Sequence, residues 1–287
     1  MQASEGNVPV VRIVLAAWGF FSRNLVTVYQ LGAPYILASV LGVSISMFAS
    51  PGSPLILLGS FFSMAAFVLY FSMQAALFRL ALGLPAKGMR GLGLGEDEFR
   101  LFGTHLLIAL VAVIVVAVSF VIILLVISSI LLIGVDPQMV QDDPNLILEQ
   151  AGMKFWVLQG LGVLSVFVIL LYLFARFAPA YPAAIGEKTI RIFEAAAWTK
   201  GQGWRIALGM VITVLPIYLL MSPFIFIMIG QMKIIMQMAI SQPGVTPSTE
   251  QMHIDFQWRI LPILLAPALD AIRAGLFSTL YRGLRPA

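Results

Sequence analysis

The stretch VAVIVVAVSFVIILLVISSILLI, residues 111–133, decides the class of fold. Three serines are its only polar residues, and it contains no charged residue. An α-helix crosses the roughly 30 Å hydrocarbon core of a bilayer with about 20 mostly apolar residues. The stretch is too short for two such crossings and a turn, so it predicts one transmembrane helix.

The whole composition agrees with a membrane protein. Of 287 residues, 60% are hydrophobic and 10% are charged, and the mean hydropathy is +0.99. Soluble domains average about 25% charged residues. Lipid is the solvent in which this excess of apolar surface is stable. The chain has no cysteine, which excludes disulfides and thiolate metal sites.

Five further stretches are long and apolar enough to cross a bilayer. We therefore predict an all-α membrane protein whose six transmembrane helices lie at about residues 25–48, 54–82, 102–133, 156–177, 204–228 and 260–281. They make up one domain, residues 25–287. The region 204–240 contains Pro216, Pro223 and Lys233, so it is open to two interpretations: one span with an interfacial extension, or a broken pair of helices.

The distribution of basic residues predicts the orientation. With six spans, one side holds thirteen Lys and Arg residues and the other holds three, while Arg273 lies within the last span. Basic residues concentrate in the short cytoplasmic loops of membrane proteins. We therefore expect both termini and the loops 83–101 and 178–203 to lie in the cytoplasm. The loops around Asp143 and Pro247 then face the opposite side.

Two amphipathic segments are predicted at the cytoplasmic interface. Residues 1–24 contain an apolar run that Arg12 interrupts. Such an interruption is untypical of a signal peptide, and the run is too short to span a membrane. We expect a helix lying in the interface, with Trp18 at the depth of the headgroups. A second helix is expected over residues 188–200, with Ile192 and Phe193 toward lipid and Lys188 toward water.

An internal repeat is suggested where the even-numbered spans end. The segments ALFRLALGLPA (76–86), LFARFAPAYPA (173–183) and TLYRGLRPA (279–287) are similar. In each, an arginine precedes a proline by four to six residues: Arg79 and Pro85, Arg176 and Pro182, Arg282 and Pro286. Either the fold contains three repeated helical hairpins, or apolar segments with a basic cytoplasmic end look alike by chance.

The segment ARFAPAYPAAIGEKTIRIFEAAAWTKGQGWRIALGMVI (175–212) and the terminal LYRGLR (280–285) resemble a bacterial pattern. In that pattern an Arg and a Pro close the fourth span, and a Gly-x-Trp-Arg motif opens the fifth. The chain resembles the six-span membrane domain found beside glycerophosphodiester phosphodiesterases and in stand-alone YciC-like membrane proteins.

The resemblance implies a polytopic protein of the bacterial inner membrane. The phosphodiesterase activity of fused members resides in a separate soluble domain, and nothing in this chain is long or polar enough to be that domain. The resemblance therefore implies no enzymatic activity here.

One candidate polar site lies inside the bundle. Asp270 and Arg273 are three residues apart in the last span, so they share a helical face and can pair. Charges within the membrane are costly and often functional. Gln74, in the second span, could join them. The site is either a structural ion pair or a site for a substrate or proton.

The other polar residues predict no catalytic or metal site. His105 and His253 are expected on opposite sides of the membrane, where they cannot share a metal. The segment GLGLGEDEF (91–99) lacks the Lys-Ser/Thr of a phosphate-binding loop. Its acidic residues suit the amino terminus of the third span instead. We expect no cofactor, and no basic patch indicates nucleic acid.

Two functions remain open from the sequence. The first is a non-enzymatic membrane protein that associates with lipids or with another membrane protein, with a role in envelope maintenance. The second is a transporter of a small or lipid-like solute. A water- or lipid-accessible cavity lined by Gln74, Asp270 and Arg273 favours transport. A close-packed interior favours association.

Overall fold

The computed structural model of the protein describes residues 9–49, 52–88, 91–132, 146–241 and 249–285. These residues form α-helices and contain no β-strand. We number the helices in chain order: α1 (Val10–Arg23), α2 (Leu25–Phe48), α3 (Leu55–Leu82), α4 (Glu96–Leu132), α5 (Leu146–Phe177), α6 (Ala180–Gly186), α7 (Ile192–Trp198), α8 (Gly203–Ser241) and α9 (Thr249–Leu284).

Helices α2, α3, α4, α5, α8 and α9 are each long and apolar enough to cross a membrane. The predicted all-α membrane fold with six spanning helices is therefore confirmed. Helix α4 begins at Glu96, six residues before the predicted span. The backbone N–H of Gly95 donates to Glu98 Oε2 over 2.9 Å, so this side chain caps the helix and extends it.

Helix α8 resolves the alternative that the sequence left open for residues 204–240. It is one continuous helix of 39 residues, and Pro216 lies within it without ending it. At 1.5 Å per residue its length is about 58 Å, which exceeds the roughly 30 Å hydrocarbon core. The observed structure is therefore a single long helix rather than a broken pair.

Helix α9 lies at the centre of the packing and contacts α1, α2 and α3. A Cβ atom added at Gly32 of α2 would lie 2.5 Å from Pro267 Cγ of α9. Between α2 and α3, a Cβ at Gly42 would lie 2.9 Å from Ser63 Oγ. Small residues let transmembrane helices approach closely, and van der Waals packing then holds them together.

Helices α4 and α5 pack against each other and lie at the periphery. Apolar side chains of α4 such as Val113, Ile122 and Leu125 are exposed. Gly162 of α5 lies against Ile123 of α4. Apolar surface of this extent requires cover from lipid or from another protein.

Helix α1 packs on the bundle through one face. Its buried residues Ile13 and Ala17 lie against Gly209 of α8 and Gly275 of α9. Leu15, on another face, is exposed. The segment 1–24 thus forms a helix from Val10 onward, docked on α8 and α9. Its depth in a membrane stays a prediction.

The predicted helix over residues 188–200 is shorter in the structure. Lys188 has a φ of 56°, in the left-handed region, and helix α7 spans Ile192–Trp198 only. Ile192 is buried against the core rather than turned toward lipid, which corrects the predicted orientation. Phe193 is exposed, as expected. The segment is thus helical in part, as predicted, but Ile192 packs against the rest of the protein instead of facing lipid.

The helix pairs α2–α3 and α4–α5 form antiparallel hairpins. Helix α9 instead contacts α1, α2 and α3 more extensively than its neighbour α8. The prolines of the suggested repeat also differ, because Pro85 lies exposed after α3 and Pro182 lies buried within α6. The three-hairpin repeat therefore stays a prediction.

Candidate functional site

The described polar contacts concentrate at one end of the bundle. We call it the basic end: there α2, α4 and α8 begin and α3, α5 and α9 end. Arg282 Nη2 of α9 donates to the Ala81 carbonyl oxygen of α3 over 3.0 Å. The Tyr281 hydroxyl donates to Glu187 Oε1 over 2.8 Å. These contacts tie the last helix to the segments around it.

The three residues of the predicted intramembrane site meet in the structure. Gln74 Nε2 of α3 donates to Asp270 Oδ1 of α9 over 3.1 Å. Arg273 Nη1 lies 3.2 Å from the same oxygen. Gln74 is 1% exposed and Asp270 is 6% exposed, whereas the Arg273 side chain is 33% exposed. We call Gln74, Asp270 and Arg273 the intramembrane cluster.

An aromatic layer separates this cluster from His105. The Arg273 guanidinium carbon lies 5.9 Å from the centroid of the Phe277 ring. Phe277 stacks on Tyr181 with centroids 5.6 Å apart, and Tyr181 lies 4.6 Å from the His105 ring. His105 is thus a neighbour of the cluster, although the sequence indicated an isolated residue. Its Nδ1 lies 2.9 Å from the Leu101 carbonyl oxygen, so Nδ1 carries the proton.

A second buried cluster was missed from the sequence. Arg79, at the end of α3, donates from Nε and Nη2 to Asp97 Oδ2 over 3.1 and 2.9 Å. The same Nη2 donates to Glu98 Oε1 over 2.7 Å. Arg79 is 3% exposed, and both acids are buried. We call these three residues the carboxylate cluster.

Further charges surround the carboxylate cluster. Lys87 Nζ lies 2.8 Å from Asp97 Oδ2, and Arg100 Nη1 lies 3.0 Å from Asp97 Oδ1. Arg100 also pairs with the exposed Glu96. Three basic side chains therefore face three acidic ones, so the formal charges of the group balance. The sequence does contain a signal for this cluster. An acidic run begins α4, and Arg79 lies in the last turn of the preceding, antiparallel helix α3.

The arginines of the repeated motif have different partners. Arg79 binds carboxylates, whereas Arg176 Nη2 donates to the carbonyl oxygen of Ala196 in α7. The Thr199 hydroxyl lies 3.0 Å from the Arg176 carbonyl oxygen, so α7 is held against the end of α5. Arg282 binds a carbonyl at the end of α3. All three arginines hold the basic end together, each by a different contact.

A cavity of about 300 Å³ lies between α1 and α9 at the basic end. Arg23, Asn24, Ser278 and Arg282 contribute to its lining, and no residue of the intramembrane cluster does. Ser278 Oγ is buried and has no hydrogen-bond partner among the described residues. Among the described residues, no three His, Asp or Glu side chains are placed so that they could hold a metal ion.

Comparison with known proteins gives no relative from which to assign a family: no family model matches the chain, and neither curated proteins nor solved structures match it.

Proposed function

We propose that this chain is a non-enzymatic, multi-pass protein of the bacterial inner membrane that acts by associating with membrane lipids, in a role such as envelope maintenance. One observation carries the proposal: the charged groups of its two buried polar clusters are paired with each other within the protein. Asp270 and Arg79 are almost fully buried and each is paired with an opposite charge, and the buried Gln74 is hydrogen-bonded to Asp270.

Charged groups that are paired within the protein disfavour catalysis and transport. A catalytic group must reach its substrate, and a transport site must be open to water or lipid at some stage. The carboxylates of Asp97 and Glu98 are held by Arg79. Asp270 is held by Gln74 and Arg273. These contacts support a structural role for both clusters.

Association with lipid follows from the surface. The peripheral helices α4 and α5 expose apolar side chains over the parts whose burial the structure describes, residues 96–130 and 153–177. The basic end carries arginines that attract anionic headgroups, which are typical of the cytoplasmic leaflet. We propose that this end faces the cytoplasm, in agreement with the charge asymmetry of the loops. The proposal also fits the resemblance of the sequence to the six-span bacterial domain. That resemblance stays a prediction.

A second candidate function, transport of a small or lipid-like solute, has one observation in its favour. The Arg273 side chain is one-third exposed although it lies within a spanning helix. Gln74 Oε1, on the neighbouring helix, is buried without a hydrogen-bond partner among the described residues. An opening between α3 and α9 at this level would convert the intramembrane cluster into a solute site.

Native mass spectrometry of the purified protein tests the proposal. We expect phospholipid to remain bound after gentle removal of detergent, because exposed apolar helices and a basic end retain lipid. In parallel, proteoliposomes should show no more permeability to polar solutes than empty liposomes. A lipid-free protein together with solute flux that is lost in Arg273→Ala would support transport and contradict the proposal.

A further inference from the structure

We infer that the cavity between α1 and α9 is a binding site for the phosphate group of an anionic membrane lipid. The inference rests on the proposed association with lipids and gives it a defined place. At about 300 Å³, the cavity is at the lower end of the range for ligand pockets, roughly 300–1,000 Å³. It is therefore large enough for a headgroup.

Two arginines give the cavity its charge. Arg23 lies in the last turn of α1, and Arg282 lies in the last turn of α9. No carboxylate of the described residues pairs with either of them, and no acidic residue lines the cavity. Arg282 uses Nη2 for the Ala81 carbonyl, which leaves its other N–H groups for a ligand. Guanidinium groups bind phosphate oxygens with strong, oriented hydrogen bonds.

A buried hydroxyl group points to the same ligand. Ser278 is 2% exposed and lines the cavity, yet its Oγ has no partner within the described part of the chain. Buried polar atoms without partners are rare in native proteins. By contrast, the neighbouring Thr279 hydroxyl donates to the Gly275 carbonyl over 2.8 Å. The Oγ atom is closed off from the cavity in this conformation, so it would bond a phosphate oxygen after a rotation of the Ser278 side chain.

The backbone adds to this chemistry. Asn24 lies between α1 and α2, and its side-chain amide donates to the Phe20 carbonyl over 2.8 Å. The side chain therefore satisfies the end of α1 and does not cap the start of α2. Asn24 lines the cavity, so the amino-terminal end of α2 begins beside it and favours a negative charge nearby.

The other wall explains why the ligand is a lipid. Leu15, Ala16 and Phe20 line the cavity, and Leu15 is exposed on the outer surface of α1. A lipid would place its phosphate between the arginines and its glycerol and first acyl carbons along this apolar wall. Free phosphate would use the charges and leave the wall uncovered. The cavity therefore fits an amphipathic anion better than a soluble one.

The experiment measures binding of phosphatidylglycerol by native mass spectrometry, with phosphatidylcholine as the zwitterionic control. We expect Arg23→Gln/Arg282→Gln to weaken phosphatidylglycerol binding about a hundredfold, since each direct hydrogen bond from a guanidinium to a phosphate contributes a factor of about ten. The matched control is Lys200→Gln/Arg205→Gln, which removes the same charge from the same end but outside the cavity. It should change binding less than about threefold.

The thermal stability of Ser278→Ala, measured with and without lipid, distinguishes a role in binding from a purely structural role of Ser278. Without lipid, this variant should be as thermostable as the parent or more so, because a buried hydroxyl without a partner is removed. With phosphatidylglycerol, it should gain less stability than the parent does. Gly19→Leu provides a variant that fills the cavity, since nothing lies within 4 Å of a Cβ added at Gly19. It should also lower binding.

The outcomes separate the inference from the proposed function. If lipid stays bound but both double variants lose binding equally, the cavity is not the site, although lipid association stands. If the parent protein binds no phospholipid, the proposed function fails as well. If inorganic phosphate or glycerol phosphate stabilises the parent and phosphatidylglycerol does not, the site binds a soluble anion and the assignment to lipid is overturned.

Discussion

The carboxylate cluster makes a quantitative prediction for Arg79→Met. The change removes three charge-assisted hydrogen bonds and keeps the volume of the side chain roughly constant. Asp97 would keep two cations, Lys87 and Arg100. Glu98 would lose its only cation among the described residues and stay buried. A buried charge left without its partner costs about 3–5 kcal/mol, so we expect a loss of that size in the free energy of unfolding.

The assay is reversible unfolding in mixed detergent micelles. Arg100→Met is the matched control: Asp97 then keeps Arg79 and Lys87, and Glu96 is exposed, so the expected loss is about 1 kcal/mol. Arg79→Met/Glu98→Gln should recover most of the loss, because the uncompensated charge is gone. Equal losses for Arg79→Met and Arg100→Met, or no recovery in the double variant, would refute the electrostatic explanation.

Three further predictions follow from the structure. Two of them use thiol labelling, which is specific here because the chain contains no cysteine of its own. The third tests the pair Asp270 and Arg273. A cysteine at Asp143 should react with an impermeant reagent from outside the cell, whereas one at Lys188 should react only after the membrane is opened; the reverse would overturn the orientation. A cysteine at Gln74 should stay unreactive in both cases, because this position is closed. Asp270→Ala should destabilise the protein by less than about 3–5 kcal/mol, because the Arg273 left behind is partly exposed, whereas Arg273→Ala should cost about that amount, because it leaves the buried Asp270 without its cation. The double change to apolar residues should recover most of the loss. Two single variants as stable as the parent would mean that the pair is already hydrated, which favours transport.

Hydropathy was sufficient for the number and approximate position of the spanning helices, because the length of an apolar segment is a property of the sequence alone. It placed the start of α2 and the ends of α3 and α5 at the observed residues. It missed the first turn of α4, because Glu96, Asp97 and Glu98 are charged, as the residues of a loop usually are. Their burial depends on Arg79, which lies on another helix.

Contacts between helices were predictable only in part. Asp270 and Arg273 share a turn, so their pairing follows from the spacing of the sequence. The contact between His105 and Tyr181, by contrast, does not follow from the sequence, because it depends on how α4, α6 and α9 pack. The burial of Ile192 has the same origin. A helical pattern shows that a residue lies on an apolar face, but it does not show whether protein or lipid covers that face.

The central position of α9 has a consequence for biosynthesis. This helix follows the other five spans in the chain, so a ribosome delivers it to the membrane after them. Until then, Gly32 of α2 lacks the Pro267 that packs against it, and Gln74 of α3 lacks its acceptor. Asp270 and Arg273, however, can pair within one turn as α9 forms, which lowers the cost of inserting both charges into lipid. The last of the six spanning helices to be inserted therefore carries both charges of an ion pair. Gln74 of α3, which is already in the membrane by then, forms its hydrogen bond to Asp270 when α9 packs against α3.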